Sequence, residues 1–266
     1  MIPKKIHYFW FGKGKKSELT EFCINSWKKT NPDFEIVEWT EDNFDVFSNK
    51  YTKEAYKKKK WAFVSDYARA KILFEHGGFY LDTDMELKLP LNEFLEKKAI
   101  CGFEIKGTPF SAFWAVEKGH ELAKDIKEYY EKQDHFEEIP NTKIFSELLV
   151  EKYGANAEKD EFQKLKFDVT LYPSHYFSLD LPKNVVTHHF SGSWHGAWSE
   201  EENSYKSYIN SYGIAKLFSE IPNGKKEFKN LIFNHKKMSA DEILDQIPLS
   251  YITEYLKRKI RKKLKL

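Results

Sequence analysis

Two aspartates separated by one residue, Asp82 and Asp84, follow directly on a short apolar run, Phe79 to Leu81. Side chains two apart share a face of an extended chain, so this spacing sets the carboxylates side by side, where they repel. A divalent cation that prefers hard oxygen ligands, Mn2+ or Mg2+, removes the repulsion and keeps positions open for a substrate diphosphate. Such an ion would act as a Lewis acid on charge developing at a leaving group. The bland alternative is a turn with two solvated acids. Against it stand the apolar strand, the double glycine Gly77–Gly78 ahead of it, and a pair of charges inside the preceding apolar segment.

Those charges are Asp66 and Arg69, three apart and therefore neighbours on one helical face. They lie in WAFVSDYARAKILFEH, apolar on nearly every side, which predicts a buried helix. Charge in such a place is costly unless it is paired or used. One reading is a structural ion pair. The other makes Asp66 an acceptor for ribose or sugar hydroxyls and Arg69 a donor to sugar or phosphate.

The elements that must position these residues belong to an α/β chain. Ile6, Tyr8 and Trp10 alternate in a first strand that stops at Gly12 and Gly14. A helix is expected from about Ser17 to Lys29, ended by Asn31 and Pro32, with a second strand from Phe34 to Trp39. This βαβ opening begins a sheet whose ligands sit at the carboxyl ends of the strands. The segment from Glu54 to His76 is helical in composition and is closed by the double glycine. Ile100 to Phe103, Ala112 to Val116 and Val185 to Phe190 read as strands, Glu121 to Lys132 and Thr142 to Lys152 as helices. The pattern turns helical and charged from about Asn203, giving an expected catalytic domain at 1–202 and a helical extension at 203–266.

Bulk properties bound the partners. Lys and Arg number 43 against 41 acids, so no nucleic-acid footprint is expected for the surface as a whole. Hydrophobic residues at 41% and aromatics at 17% supply a core and argue against disorder. Cys23 and Cys101 stand far apart without metal-ligand spacing, and the start, MIPKKIHYFWFG, lacks a long apolar stretch. A reduced, cytoplasmic setting is therefore expected, with the protein lying on the inner face of the cell membrane if it meets one. In the final stretch, Leu249, Ile252, Leu256, Ile260 and Leu264 form an apolar stripe amid Lys and Arg. A basic amphipathic helix of this kind suits an anionic membrane surface, and equally a solvated terminal helix packed on the domain.

The run SDYARAKILFEHGGFYLDTDME, together with IHYFWFG and a shorter echo at HHFSGSW, resembles glycosyltransferase family 32. That family spans bacterial capsule and lipopolysaccharide sugar transferases and yeast-type initiating mannosyltransferases, and is related to the sugar-transferring domains of clostridial toxins. The resemblance implies a GT-A-like, Rossmann-type nucleotide-sugar-binding sheet, a UDP-sugar donor ahead of a GDP-sugar, a divalent metal and retention of anomeric configuration. It implies a glycan or lipid-linked saccharide as acceptor, in surface polysaccharide synthesis. Carried onto this sequence, Trp10 stacks the nucleotide base and Asp66 and Arg69 hold ribose and donor sugar. Tyr80 lies beside the nucleotide, Asp82 bridges ribose and metal, and Asp84 ligates the metal. Stacking on an aromatic at a strand end is worth about 1–3 kcal/mol, although an isolated Trp is commonly core.

The echo favours His189 as a third metal ligand and Trp194 as part of a loop closing over the donor. His188 should then point away, since adjacent strand residues face opposite sides. Gly192 stands where toxin relatives carry a hydroxyl ligand, leaving Ser191 and Ser193 as substitutes. Lys143 and Ile144 replace a glycine-proline of bacterial relatives, which puts donor contacts of Asn141 and Thr142 in question. Two rival functions share these residues: a nucleotide-sugar hydrolase or nucleotidyl-transfer enzyme on the same metal pair, and a non-catalytic membrane-binding module.

Overall fold

A computed structural model of the chain describes residues 1–105, 107–178, 184–189 and 191, with isolated helical positions at 257 and 260. One compact unit comprises Met1–Ser178 and Asn184–Gly196, and a second comprises Leu179–Lys183 and Ala197–Leu266. The described sheets belong wholly to the first. The expected extension at 203–266, the apolar stripe of its tail, Trp194, Gly192 and Ser193 fall outside the described residues.

Among the described residues the first unit holds nine strands and six α-helices. The strands are β1 (Lys5–Phe9), β2 (Glu35–Trp39), β3 (Gly78–Leu81), β4 (Met85–Leu87), β5 (Ala99–Ile105), β6 (Thr108–Val116), β7 (Gln163–Lys164), β8 (Val169–Tyr172) and β9 (Val186–His188). The helices are α1 (Glu18–Thr30), α2 (Lys50–Lys57), α3 (Trp61–His76), α4 (Glu121–Glu131), α5 (Asn141–Glu151) and α6 (Ser174–Phe177). Seven strands form one mixed sheet in the order β2-β1-β3-β6-β5-β8-β7, and β4 pairs with β9 in a separate two-stranded sheet. The parallel β2-β1-β3 half continues into antiparallel β6, and the aspartate pair leaves the carboxyl end of central β3. This is the expected α/β arrangement.

Alternation along the strands separates two cores. Phe9 and Tyr80 join Tyr67, Leu73 and Trp114 on the α3 side, while Ile6, Tyr8, Phe79 and Leu81 pack with Cys23 and Trp27 of α1 on the other. Helix α1 starts where Ser17 accepts from the Thr20 amide, and Trp27 donates from Nε1 to the Met85 carbonyl over 2.6 Å. That bond holds β4 against α1.

Two expectations need correction. The helical segment expected from Glu54 to His76 is interrupted, broken where Lys59 adopts φ 58° and the Lys60 amide bonds the Ala55 carbonyl. Nor is the aspartate pair extended: β3 ends at Leu81, and the Met85 amide bonds the Asp82 carbonyl across 3.0 Å, closing a turn that carries the chain from the large sheet to the small one. The double glycine works as expected and further. Both residues have positive φ, and a Cβ on Gly77 would lie 2.6 Å from the Lys118 nitrogen, one on Gly78 2.9 Å from the Lys5 carbonyl. Side chains at either place would push backbone apart. Among the described residues no helix is long and apolar enough to cross a membrane.

Candidate active site

Arg69 is the hub of the site. It projects from α3, 5% exposed, and its guanidinium meets Asp66 Oδ1 at 2.8 Å and Asp82 Oδ1 at 3.3 Å. The same group donates to the Ser111 carbonyl of β6 at 3.1 Å and to the Ser65 hydroxyl at 3.1 Å, and lies 4.3 Å over the Tyr80 ring. The Tyr80 hydroxyl in turn donates to Asp82 Oδ1. These residues converge because Tyr80 and Asp82 are two apart at the end of β3 and face α3, while Asp66 and Arg69 share one side of that helix. The ion pair of the bland reading exists, but it bridges a helix acid to an acid of the aspartate turn.

Burial dominates the protonation of this half. It drives the Asp66 carboxyl up to about 7, with Arg69 pulling down and Asp82 pushing further up. Burial likewise raises Asp82, against the pull of Arg69 and with the push of Asp84. Arg69 is disfavoured by burial, yet Asp82, Tyr80 and Asp66 carry it above its ordinary range. One cation therefore serves two acids, and neither acid is fully compensated.

Asp84 is treated differently. Its side chain is 12% exposed, and Oδ2 accepts from the Ser191 amide at 2.9 Å and the Ser191 hydroxyl at 2.8 Å. His188 Nε2 stands 3.5 Å from the same oxygen, and His188 Nδ1 3.4 Å from Glu104. Burial would raise Asp84, but His188 and the Ser191 bonds hold it well below the usual carboxylate range. His188, which burial alone would neutralise, is pushed up to about 10 by Asp84 and Glu104.

The two histidines meet different acids. Alternation does separate the two rings, but His188 turns to Asp84, whereas His189 Nε2 lies 3.0 Å from Glu86 Oε2 and its amide bonds the Asp84 carbonyl. Met85 pairs with His188 at the end of the small sheet, and the turn just before Met85 brings the Asp84 carboxylate to the His188 ring. Trp10 is half-buried just past β1, its indole nitrogen donating to the Gly14 carbonyl at 2.6 Å and Lys16 lying 5.6 Å from its ring. No contact joins it to the aspartate turn among the described residues. Ser65, Ser111, Glu86 and Glu104 carried no signal in the sequence, because what brings them to the site is pairing between distant strands and one helical turn of α3.

Among the described residues no group of three or more His, Cys, Asp or Glu is arranged to hold a metal. What the turn offers is two hard oxygens, Asp82 Oδ2 and Asp84 Oδ1, neither of which takes part in the bonds to Arg69, Tyr80, His188 or Ser191. That donor set fits a cation of the Mg2+ or Mn2+ kind, which binds one or two carboxylates and takes the rest of its shell from substrate phosphate and water.

Residues 17–100 match the family model described as glycosyltransferase sugar-binding region containing DXD motif. Over 102 residues the chain is 37% identical to an uncharacterized glycosyltransferase, L373, of Acanthamoeba polyphaga mimivirus, a match covering 36% of this chain and 40% of that protein. The chain thus spans less than half of that curated relative. Among solved structures, the PaToxG glycosyltransferase matches with a TM-score of 0.45 at 17% identity, over 57% of this chain and 69% of its own. A glycosyltransferase involved in the glycosylation of the major capsid of PBCV-1 matches with a TM-score of 0.40 at 11% identity, over 70% and 94%.

Proposed function

We propose that this chain, whose residues 17–100 match the family model of a DXD-containing glycosyltransferase sugar-binding region, moves a sugar from a nucleotide donor to a glycan or lipid-linked saccharide. The observation that carries the reading is the aspartate turn at the end of β3, where half-buried Asp82 and buried Asp84 are held by different partners and each keeps one oxygen for a ligand.

Asp82 and Asp84 would hold a divalent cation, which when bound supplies charge neutralisation to the leaving nucleoside diphosphate. Arg69, fixed by its bonds to Ser65, Ser111, Asp66 and Asp82, cannot swing freely and presents its charge in a set direction. Such preorganised charge costs no reorganisation as the anomeric centre becomes cationic and the phosphate anionic. Asp66 accepts sugar or ribose hydroxyls, Tyr80 buttresses Asp82, and Trp10 stacks the base. His188 and Ser191 keep Asp84 ionised, so it stays a ligand across the neutral range. Retention of configuration, a UDP-sugar donor and a place in surface polysaccharide synthesis complete the reading. So does a cytoplasmic location on the inner membrane face, with the basic tail docked on anionic lipid.

The test is a thermal-shift screen of UDP- and GDP-sugars with and without Mn2+, followed by transfer assays. Stabilisation by one nucleotide class that depends on Mn2+, and loss of both stabilisation and transfer in the Asp82→Asn, Asp84→Asn double variant, are expected. Undiminished sugar transfer by that variant would overturn the reading. Co-sedimentation with anionic vesicles, lost on removing the last ten residues, is the expected result for the tail.

A further inference from the structure

Glu104 stands at the edge of the site without a part in its chemistry. It lies near the end of β5, where the ladder to β6 slips: Phe103 pairs with Pro109 and Ile105 with Thr108, which leaves Glu104 unmatched. One residue added to a strand in this way is a bulge, a device that re-aims a side chain and is common beside active sites. Cys101 and Phe103 enter the core on the α3 side, whereas Gly102 faces Phe177 of α6. Glu104 follows Gly102 in the alternation and turns toward β9. There its Oε1 lies 3.4 Å from His188 Nδ1, and the opposite ring nitrogen, Nε2, lies 3.5 Å from Asp84 Oδ2. The Phe110 ring stands 5.8 Å from the imidazole, and the His188 amide bonds the Ser178 carbonyl at 2.9 Å. The imidazole is therefore held at its backbone, on one face and at both nitrogens.

We propose that Glu104 is a positioning residue for sugar transfer: acting through His188, it pins Asp84 Oδ2 and so sets Oδ1 toward the divalent cation. The proposal rests on the glycosyltransferase reading and concerns a residue to which that reading gives no part. A mere counter-ion for the histidine would not need the bulge, because Asp84 already sets a negative charge at Nε2. What Glu104 adds is direction. Each ring nitrogen carries at most one hydrogen, in the plane of the ring, so an acceptor at Nδ1 fixes the plane in which Nε2 meets Asp84. Ser191 bonds the same carboxylate oxygen twice, and the ring adds a third point that stops the carboxylate rotating about it. Groups that hold a metal ligand from behind commonly set its orientation in this way, and their loss costs about 10–100-fold in metal affinity.

The probe is Mn2+ alone, titrated into the full chain by calorimetry, beside the metal-free melting temperature and the Mn2+ dependence of sugar transfer. Glu104→Ala should bind Mn2+ about tenfold more weakly and need about tenfold more Mn2+ for half-maximal transfer, with the rate at saturating Mn2+ close to native. Glu104→Gln keeps an oxygen acceptor for Nδ1 without the charge, and is expected to bind Mn2+ with near-native affinity. Glu104→Asp keeps the charge but draws it back by one methylene, so it should behave as Glu104→Ala does and serves if that variant does not fold. Native-like Mn2+ affinity of Glu104→Ala and Glu104→Asp, with only the melting temperature changed, makes the residue structural and overturns the proposal. So does rescue by Asp and not by Gln, which would make charge rather than direction the cause. A native chain that neither takes up Mn2+ nor transfers sugar overturns the parent reading instead, and the proposal with it.

Discussion

The two aspartates of one turn live in opposite electrostatic worlds. Asp82 shares a permanent cation, Arg69, with Asp66, and its carboxyl is raised by burial; Asp84 has two bonds from Ser191 and a histidine that also meets Glu104, and is lowered. The first arrangement is assembled from α3 and β3, neighbours in sequence joined by two glycines. The second depends on β9 returning from a hundred residues away to pair with β4. The difference teaches that a two-residue motif fixes only where the acids begin. Which of them is a reservoir of strain and which a ready anion is decided by elements the motif does not contain.

The most forceful way to break the contrast is to remove the shared cation. Arg69→Met leaves Asp66 buried and half-buried Asp82 without their cation, and a loss of about 3 kcal/mol in denaturant unfolding is expected. Adding Asp66→Asn should restore part of it, whereas the same second change on the Asp84 side should restore nothing. A double-mutant cycle measures both.

Acid should next separate the halves. His7 on β1, in register with Tyr80, donates from Nε2 to the Gly77 carbonyl at 3.0 Å and accepts from Trp39 Nε1 at 3.1 Å, so the ring folds neutral. Burial lowers its pKa to about 4, with the Gly77 bond opposing and His76 assisting. As pH falls, the unfolded chain takes up this proton first. Stability from His7 is thus complete above pH of about 6.5 and is lost on the way down to about 4, by about 3 kcal/mol in all. Unfolding measured at several pH values should show this slope, and His7→Gln should flatten it.

Ser191→Ala sharpens the other side. It deletes one of two serine bonds to Asp84 and should cost about 1–2 kcal/mol while weakening Mn2+-dependent donor binding, read by calorimetry. Tyr80→Phe is expected to have the smallest effect, about 1 kcal/mol of stability in denaturant unfolding, because Arg69 still holds Asp82 after the hydroxyl is gone.

Legibility in the sequence follows the same divide. The buried helix carrying Asp66 and Arg69, the double glycine and the strand feeding the acids were legible, because apolar periodicity and glycine punctuation are local signals. The break at Lys59 was not, since a lysine with positive φ leaves no mark in composition. Strand β4, three residues long, and the turn before it are products of pairing with β9 and of the Trp27 bond to Met85. That is why the acids were expected on an extended chain. That His188 faces Asp84 is set by the same turn, which breaks the extended chain between β3 and β4, and no local pattern announces it.

The turn from Asp82 to Met85 is also the seam between the seven-stranded sheet and the β4–β9 ribbon. Two-stranded ribbons are marginal by themselves. A ligand gripping both carboxylates would act as a rivet across that seam, so amide hydrogen exchange in β4 and β9 should slow on donor binding more than anywhere in the large sheet.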